Sequence, residues 1–207
     1  MKKTIHRAET RGYADHGWLR THHTFSFAGY YDPTRVHFGA LRVLNDDTVA
    51  PGEGFGTHPH DNMEIVSIVL SGALKHGDSM GHMKVLEPGD IQVMSAGTGI
   101  THSEMNASRD EPVKFLQIWV LTDADNHTPR YNQVELLPGK RNELRLIVGP
   151  EGHGSEHVGW IHQKAWFYTL GLDAGRELEY RMNLHGNGAY VFVVEGRAEV
   201  AGEELGP

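Results

Sequence analysis

Apolar positions along this chain do not recur at helical spacing. They gather in short β-branched and aromatic runs separated by Gly, Pro, Asn and Asp. The pattern predicts strands over Ala40–Leu44, Met63–Leu70, Ala73–His76, Ile91–Met94, Phe115–Val120, Leu144–Val148, Ala165–Leu170, Glu177–Met182, Ala189–Val194 and Arg197–Val200. Many short strands at such intervals indicate an all-β fold of barrels or sandwiches. Glu87-Pro88-Gly89-Asp90 and Leu137-Pro138-Gly139-Lys140 pair the fixed φ of proline with the positive φ open to glycine, which predicts type II turns. Between Thr122 and Arg141 the chain becomes polar. That stretch reads as a linker dividing residues 1–130 from residues 131–207.

The two halves are weakly alike. Ile65 to Ala73 can be laid over Ala189 to Arg197 by matching Gly72 with Gly196, so that a strand, a glycine turn and a second strand recur. In that register His58 and His60 fall on Met182 and Leu184. If the halves are related barrels, only the first carries the imidazoles.

Composition then narrows the class. No stretch of the 207 residues approaches the roughly 20 apolar residues of a membrane span. The opening MKKTIHRAETRGYADHGWLR has no apolar core or cleavage site, from which a cytoplasmic location and mature protein are expected. A net charge of −8 without basic clusters argues against nucleic-acid or membrane partners and leaves proteins and small molecules. The chain has no cysteine, which removes disulfides, iron–sulfur clusters and thiolate chemistry, so any metal must sit on nitrogen and oxygen. The 15 histidines suit metal binding, but only position separates ligands from scattered surface residues.

Side chains at i and i+2 of a strand point the same way, so His58-Pro59-His60 can present two imidazoles to one cavity. A single His-x-His in so histidine-rich a chain carries little weight. The second pair, His102-Ser103-Glu104, lies beyond the strand Ile91–Met94 and has the same parity. Two such pairs on neighbouring strands would converge on one point, giving three nitrogens and a carboxylate at about 2.0–2.2 Å from an ion.

Gly52-x5-His58-x-His60-x3-Glu64 with Gly72, followed by Gly89-x12-His102-x3-Asn106, is similar to the two cupin motifs. More narrowly, GFGTHPHDNMEIVSIVLSGALKHGDSMG, MSAGTGITHSE, LQIWV and the opening HGWLRTHHTFSFAGYYDP resemble the pirin family of bicupins, from Arg11 to about Gly196. The resemblance implies two jelly-roll-like β-barrels: a metal-binding one over 1–130 and one without ligands over 131–207. Members continue past the second glycine turn, so the second barrel is expected to be incomplete at its C-terminus. The resemblance also implies metal ligands at His58, His60, His102 and Glu104. The general cupin pattern would use Glu64 instead, but two carboxylates beside three imidazoles would crowd out substrate. Glu64 is therefore expected to hydrogen-bond backbone or a ligand imidazole. Gln117, polar in an apolar strand and on one face with Phe115 and Trp119, reads equally as a polar group at the cavity and as a buried amide with ordinary partners.

For the ion the resemblance favours Fe(II), while the ligand types equally admit Ni, Co, Mn, Zn or Cu. The implied activity is that of a quercetinase, a monomeric dioxygenase that opens flavonols with O2 and releases carbon monoxide, with Glu104 as ligand and base. The alternative is a metal- or redox-responsive regulator that binds proteins without turnover. A purely structural ion is a third reading, disfavoured because such sites are usually closed and rich in cysteine. Elsewhere, His22-His23 with Phe25, Phe27, Tyr30 and Tyr31 is read as aromatic packing across a barrel. His153, His157 and His162, in a turn-rich stretch without convergent partners, are read as surface residues or core of the second half, and His185 as loop.

Overall fold

The structure, a computed structural model, is described for residues 3–207. Among the described residues there is no α-helix, only a 3-10 turn at Ala8–Thr10. The strands run in order β1 Gly12–Asp15, β2 Leu19–His23, β3 Leu41–Val49, β4 Gly54–His60, β5 Met63–Ser71, β6 Leu74–Asp78, β7 Met83–Leu86, β8 Asp90–Ser95, β9 Ile100–Asn106, β10 Val113–Leu121 and β11 Arg130–Glu135. They continue with β12 Arg145–Pro150, β13 Gly159–Ile161, β14 Phe167–Thr169, β15 Ala198–Val200 and β16 Glu203–Leu205. No helix is long and apolar enough to cross a membrane.

Two antiparallel sheets face each other in the first half. One has seven strands in the order β1-β2-β3-β10-β5-β8-β11, and the other has four in the order β4-β9-β6-β7. Neither sheet closes on itself; the two face each other as an open, jelly-roll-like pair, in keeping with the expected all-β fold. Strand β10 lies between β3 and β5 and is covered on both sides, which explains its nearly unbroken apolar run. Its Phe115, Gln117 and Trp119 face the four-stranded sheet, while Leu116, Ile118 and Val120 turn outward. The outward set packs with Val66, Ile91 and Val93 against Ile147, Val148 and Ile161 of the second half, forming the core that joins the halves.

Between the facing sheets the interior is stratified. Leu19, Val49, Val69, Leu74, Leu86, Val113 and Phe115 close one end, and Ile65, Met94, Ala96 and Ile100 close the other. The buried polar side chains Ser67, Gln92, Gln117, Glu104 and His76 are fully or almost fully sequestered in this interior. Buried polar groups cost free energy unless paired, so such a set needs a reason beyond folding.

Several elements differ from the sequence pattern. The polar Thr122–Arg141 stretch is not all linker: it contains β11, which pairs with β8 from Arg130 opposite Ser95 to Glu135 opposite Asp90. As an edge strand it has no neighbour on its far side, so polar residues are tolerated there. Glu87–Asp90 forms the expected turn, with the Asp90 amide donating to the Glu87 carbonyl at 2.9 Å and Gly89 at φ 107°. Leu137–Lys140 does not. Its approach is committed to the first sheet instead, through the Leu136 amide donating to Gly89 O at 2.8 Å.

The second half contains a three-stranded sheet β13-β12-β14 and the pair β15-β16. Glu177–Met182 and Ala189–Val194 do not form strands, and most of their side chains are exposed. A strand persists only when its backbone groups find partners, and the described residues supply none here. The aromatic N-terminal segment packs as expected. Phe25 is buried in the joining core and Phe27 meets Trp119 edge-on at 5.3 Å, although Tyr31 is exposed.

Candidate metal centre

Strands β4 and β9 pair with His58 directly opposite His102, so parity places His58, His60 and His102 on one face. Their ring centroids are 4.5–4.9 Å apart, and one ring nitrogen from each lies within 4.8 Å of the others. The exposed Pro59 lies between the two β4 imidazoles on the other face. His58 Nδ1 is 2.7 Å from Gly56 O, a contact that fixes the ring and leaves Nε2 free.

His102 is 1% exposed, yet among the described residues neither of its ring nitrogens has a hydrogen-bond partner. An orphaned buried imidazole is costly, and a cation held by the trio would satisfy one of its two nitrogens, so the donor set fits a divalent ion. Burial, with the neighbouring His58 next in importance, lowers His102 to a pKa of about 3 and His60 to about 4. Both imidazoles are therefore neutral near pH 7, the form that ligates.

Glu104 follows two residues after His102 and is buried. Its carboxylate accepts from Ser67 Oγ at 2.8 Å and Gln92 Nε2 at 3.2 Å on Oε1, and from Gln117 Nε2 at 2.6 Å on Oε2. Burial raises its pKa, and these donors oppose the rise. Gln117 thus lies in the interior, directly on Glu104.

Neither Glu104 nor Glu64 has an oxygen within the cluster that the three imidazole nitrogens form. The β4–β5 hairpin passes through Asn62 at φ 45°, and β5 then directs Ile65 and Ser67 inward and Glu64 toward the second half. There its Oε2 accepts from Ser95 Oγ at 2.7 Å, with Arg130 nearby, and Oε1 has no partner among the described residues. Contact with a ligand imidazole does not occur among the described residues.

A second layer of polar residues escaped the sequence reading. His76 lies opposite Glu104, and Asp78 opposite His102, across β6 and β9. His76 Nε2 and His82 Nδ1 lie 3.0 and 2.9 Å from Asp78 Oδ2, and Tyr131 stacks on both rings at 4.5 and 4.8 Å. The signal was available: His76-x-Asp78 obeys the same i, i+2 rule as the two pairs that were noticed. His162 also departs from expectation, because it converges with His127 and Asp123.

Asp47 on β3 is a second interior carboxyl, 3% exposed, whose Oδ1 has no partner among the described residues. Burial, aided by the charge of Glu104, raises its pKa to about 7. The folded chain then holds this proton more tightly than the unfolded chain. The associated stability is full below about pH 4 and is lost as pH rises through about 7. Asp47→Asn keeps the shape without the titration, so the variant should gain on the parent by about 2–4 kcal/mol between pH 5 and pH 8. Parallel denaturant melts at the two pH values measure this difference.

Comparison with known proteins places the arrangement. The Pirin family profile matches residues 4–120, and that of the quercetinase C-terminal cupin domain matches residues 146–207. The chain belongs to the pirin family. This pirin is 45% identical over 170 residues to the quercetin 2,3-dioxygenase of Escherichia coli K12, covering 81% of this chain and 71% of that one. It is 41% identical over 191 residues to the putative quercetin 2,3-dioxygenase PA1210 of Pseudomonas aeruginosa, covering 92% and 82%. Among solved structures, the bacterial pirin YhhW of Escherichia coli in complex with nickel(II) superposes with a TM-score of 0.82 at 39% identity, over 97% of this pirin and 84% of that chain. The nickel in that structure and the imidazole trio here support a single divalent ion in this pirin; neither singles out iron.

Proposed function

We propose that this pirin is a metal-dependent dioxygenase that opens flavonols such as quercetin with O2 and releases carbon monoxide. His58, His60 and His102 would hold the ion, Fe(II) on the reading from sequence and Ni(II) on the precedent of the nickel-bound relative; Glu104, which lies outside that cluster here, is the fourth ligand that the sequence pattern implies. The observation that carries this reading is His102, a buried imidazole of the trio with both nitrogens unpartnered among the described residues. The ion would supply a Lewis-acid anchor for the flavonol hydroxyl and a meeting point for the substrate and O2.

The chain's own residues do the rest. Glu104, its pKa raised by burial, is a stronger base than an ordinary carboxylate and takes the proton of the flavonol hydroxyl. Ser67, Gln92 and Gln117 hold that carboxylate in one orientation before and after the transfer. Trp119 packs edge-on against His60 at 4.9 Å, with Phe27 edge-on behind it at 5.3 Å, giving the trio an aromatic flank suited to a flat substrate.

The test is turnover of quercetin under oxygen, followed by loss of flavonol absorbance and release of carbon monoxide. Turnover should stop on chelation and return on adding back Fe(II) or Ni(II). Metal-loaded protein that leaves flavonols untouched would remove the enzymatic reading and leave the regulator that binds an ion without turnover.

A further inference from the structure

Outside the imidazole trio, Asp123, His127 and His162 place one ligand atom each within 4.8 Å of one another. Asp123 and His127 lie in the loop between β10 and β11, and His162 directly follows β13. His127 Nε2 lies 2.8 Å from Asp123 Oδ1, a hydrogen bond that an ion would replace with two metal–ligand bonds at little change in spacing. The His162 ring lies flat on His127, with centroids 3.8 Å apart and planes within 5°. Among the described residues, neither His162 ring nitrogen has a hydrogen-bond partner.

Backbone bonds hold this approach independently of the side chains. The Asp123 amide donates to His162 O at 2.9 Å, the Thr98 amide to His127 O at 3.0 Å and the Asn126 amide to Asn62 Oδ1 at 2.7 Å. Burial, and after it the neighbouring His127, lowers the pKa of His162, which keeps that ring neutral near pH 7. Two imidazoles stacked without a bond between them, beside a carboxylate, bring three donors into one place, one ring rotation short of converging on an ion.

We propose that Asp123, His127 and His162 form a second divalent-cation site, separate from the trio on β4 and β9, that takes ions of the zinc and nickel class. Two nitrogens and one carboxylate oxygen suit such borderline ions and are too few and too soft for calcium or magnesium. In-plane lone pairs of parallel rings cannot meet at one ion, so binding fans the stacked rings apart. Asp123 is about half exposed, at 53%, which gives the loop room for this movement and leaves the remaining coordination positions to water.

An ion there bridges the β10–β11 loop to the end of β13, and so ties the two halves together. It also bears on the first site. The His127 carbonyl lies so close to Gly97, at φ 49°, that a Cβ would collide with it, and the turn through Gly97 and Thr98 leads into β9, which carries His102.

The experiment uses tag-free, chelator-stripped protein equilibrated with zinc and freed of excess by gel filtration, with metal content read by mass spectrometry. The parent should retain about two equivalents, and His127→Ala/His162→Ala and His58→Ala/His60→Ala about one each. In the His58→Ala/His60→Ala background, zinc should raise the melting temperature by a few degrees, and adding His162→Gln, which keeps a polar side chain, should abolish that rise. A parent that retains one equivalent, a His127→Ala/His162→Ala variant that matches the parent, or a zinc-induced rise that survives His162→Gln would each overturn the proposal. Failure of flavonol turnover would not touch it.

Discussion

His102→Ala is expected to abolish ion retention at the imidazole trio and to lower flavonol turnover by at least about 10²-fold, because even residues that merely support a ligand commonly cost 10- to 100-fold. Its effect on the metal-free protein should be far smaller. The imidazole is 1% exposed with both nitrogens unpartnered among the described residues, so removing it relieves a desolvation cost of about 1–3 kcal/mol for each unsatisfied group. The vacated volume costs a comparable amount, about 2–3 kcal/mol by analogy with other large-to-small core changes. The two terms nearly cancel, which predicts a metal-free melting temperature within a few degrees of the parent's. The parent should gain more stability on metal loading than the variant, which keeps only what an ion outside the trio supplies. Calorimetry with and without Fe(II) or Ni(II), beside a turnover assay, separates the outcomes. A variant that fails to fold even without metal would make the imidazole structural, and one that still turns over quercetin would remove His102 from the site.

The trio was legible because strand parity is a local property. His58, Pro59 and His60 lie on one strand, and His102 and Glu104 share a strand and a face, so the i, i+2 rule needs no knowledge of the fold. The register that sets His58 opposite His102 was not local and came only with the sheet. Glu64 shows where local reasoning stops. It lies four residues from His60, but the hairpin at Asn62 resets the alternation, and the next strand faces Glu64 toward the second half.

The second half was misread for a related reason. Glu177–Met182 and Ala189–Val194 have the composition of strands, but composition cannot provide the neighbouring backbone that makes a strand persist. Conversely, β11 was hidden because Arg130, Asn132 and Gln133 are polar, as an edge position allows. The cluster at His162 was beyond reach altogether. Its members come from two connections some forty residues apart, and the bonds that join them, from Asp123 to the His162 carbonyl and from Thr98 to the His127 carbonyl, are made by backbone that no side-chain pattern reports.

The carboxylate offers the sharpest separation of chemistry from scaffold. Glu104→Gln changes one oxygen to an amide NH2 in a pocket whose three contacts all donate: Ser67 Oγ, Gln92 Nε2 and Gln117 Nε2. The new amide can accept from one side only. If its NH2 faces Gln117, that amide must flip to present its oxygen, which now accepts from Ser67 at 3.3 Å. One buried donor left unmatched costs about 1–3 kcal/mol, partly offset because a neutral amide escapes the burial penalty that raises the pKa of Glu104. Folding should therefore survive. Turnover should fall by about 10²–10⁴-fold, the range for losing a general base. The pH profile gives a readout that a purely structural role would not move. Glu104 must be deprotonated to accept the hydroxyl proton, so parental activity should fall as pH drops through a pKa raised above the usual carboxylate range. That acidic limb should vanish from the residual activity of Glu104→Gln, while the three imidazoles still hold the ion. An unchanged acidic limb would assign the proton to another group, and undiminished turnover would leave Glu104 without a part in the reaction.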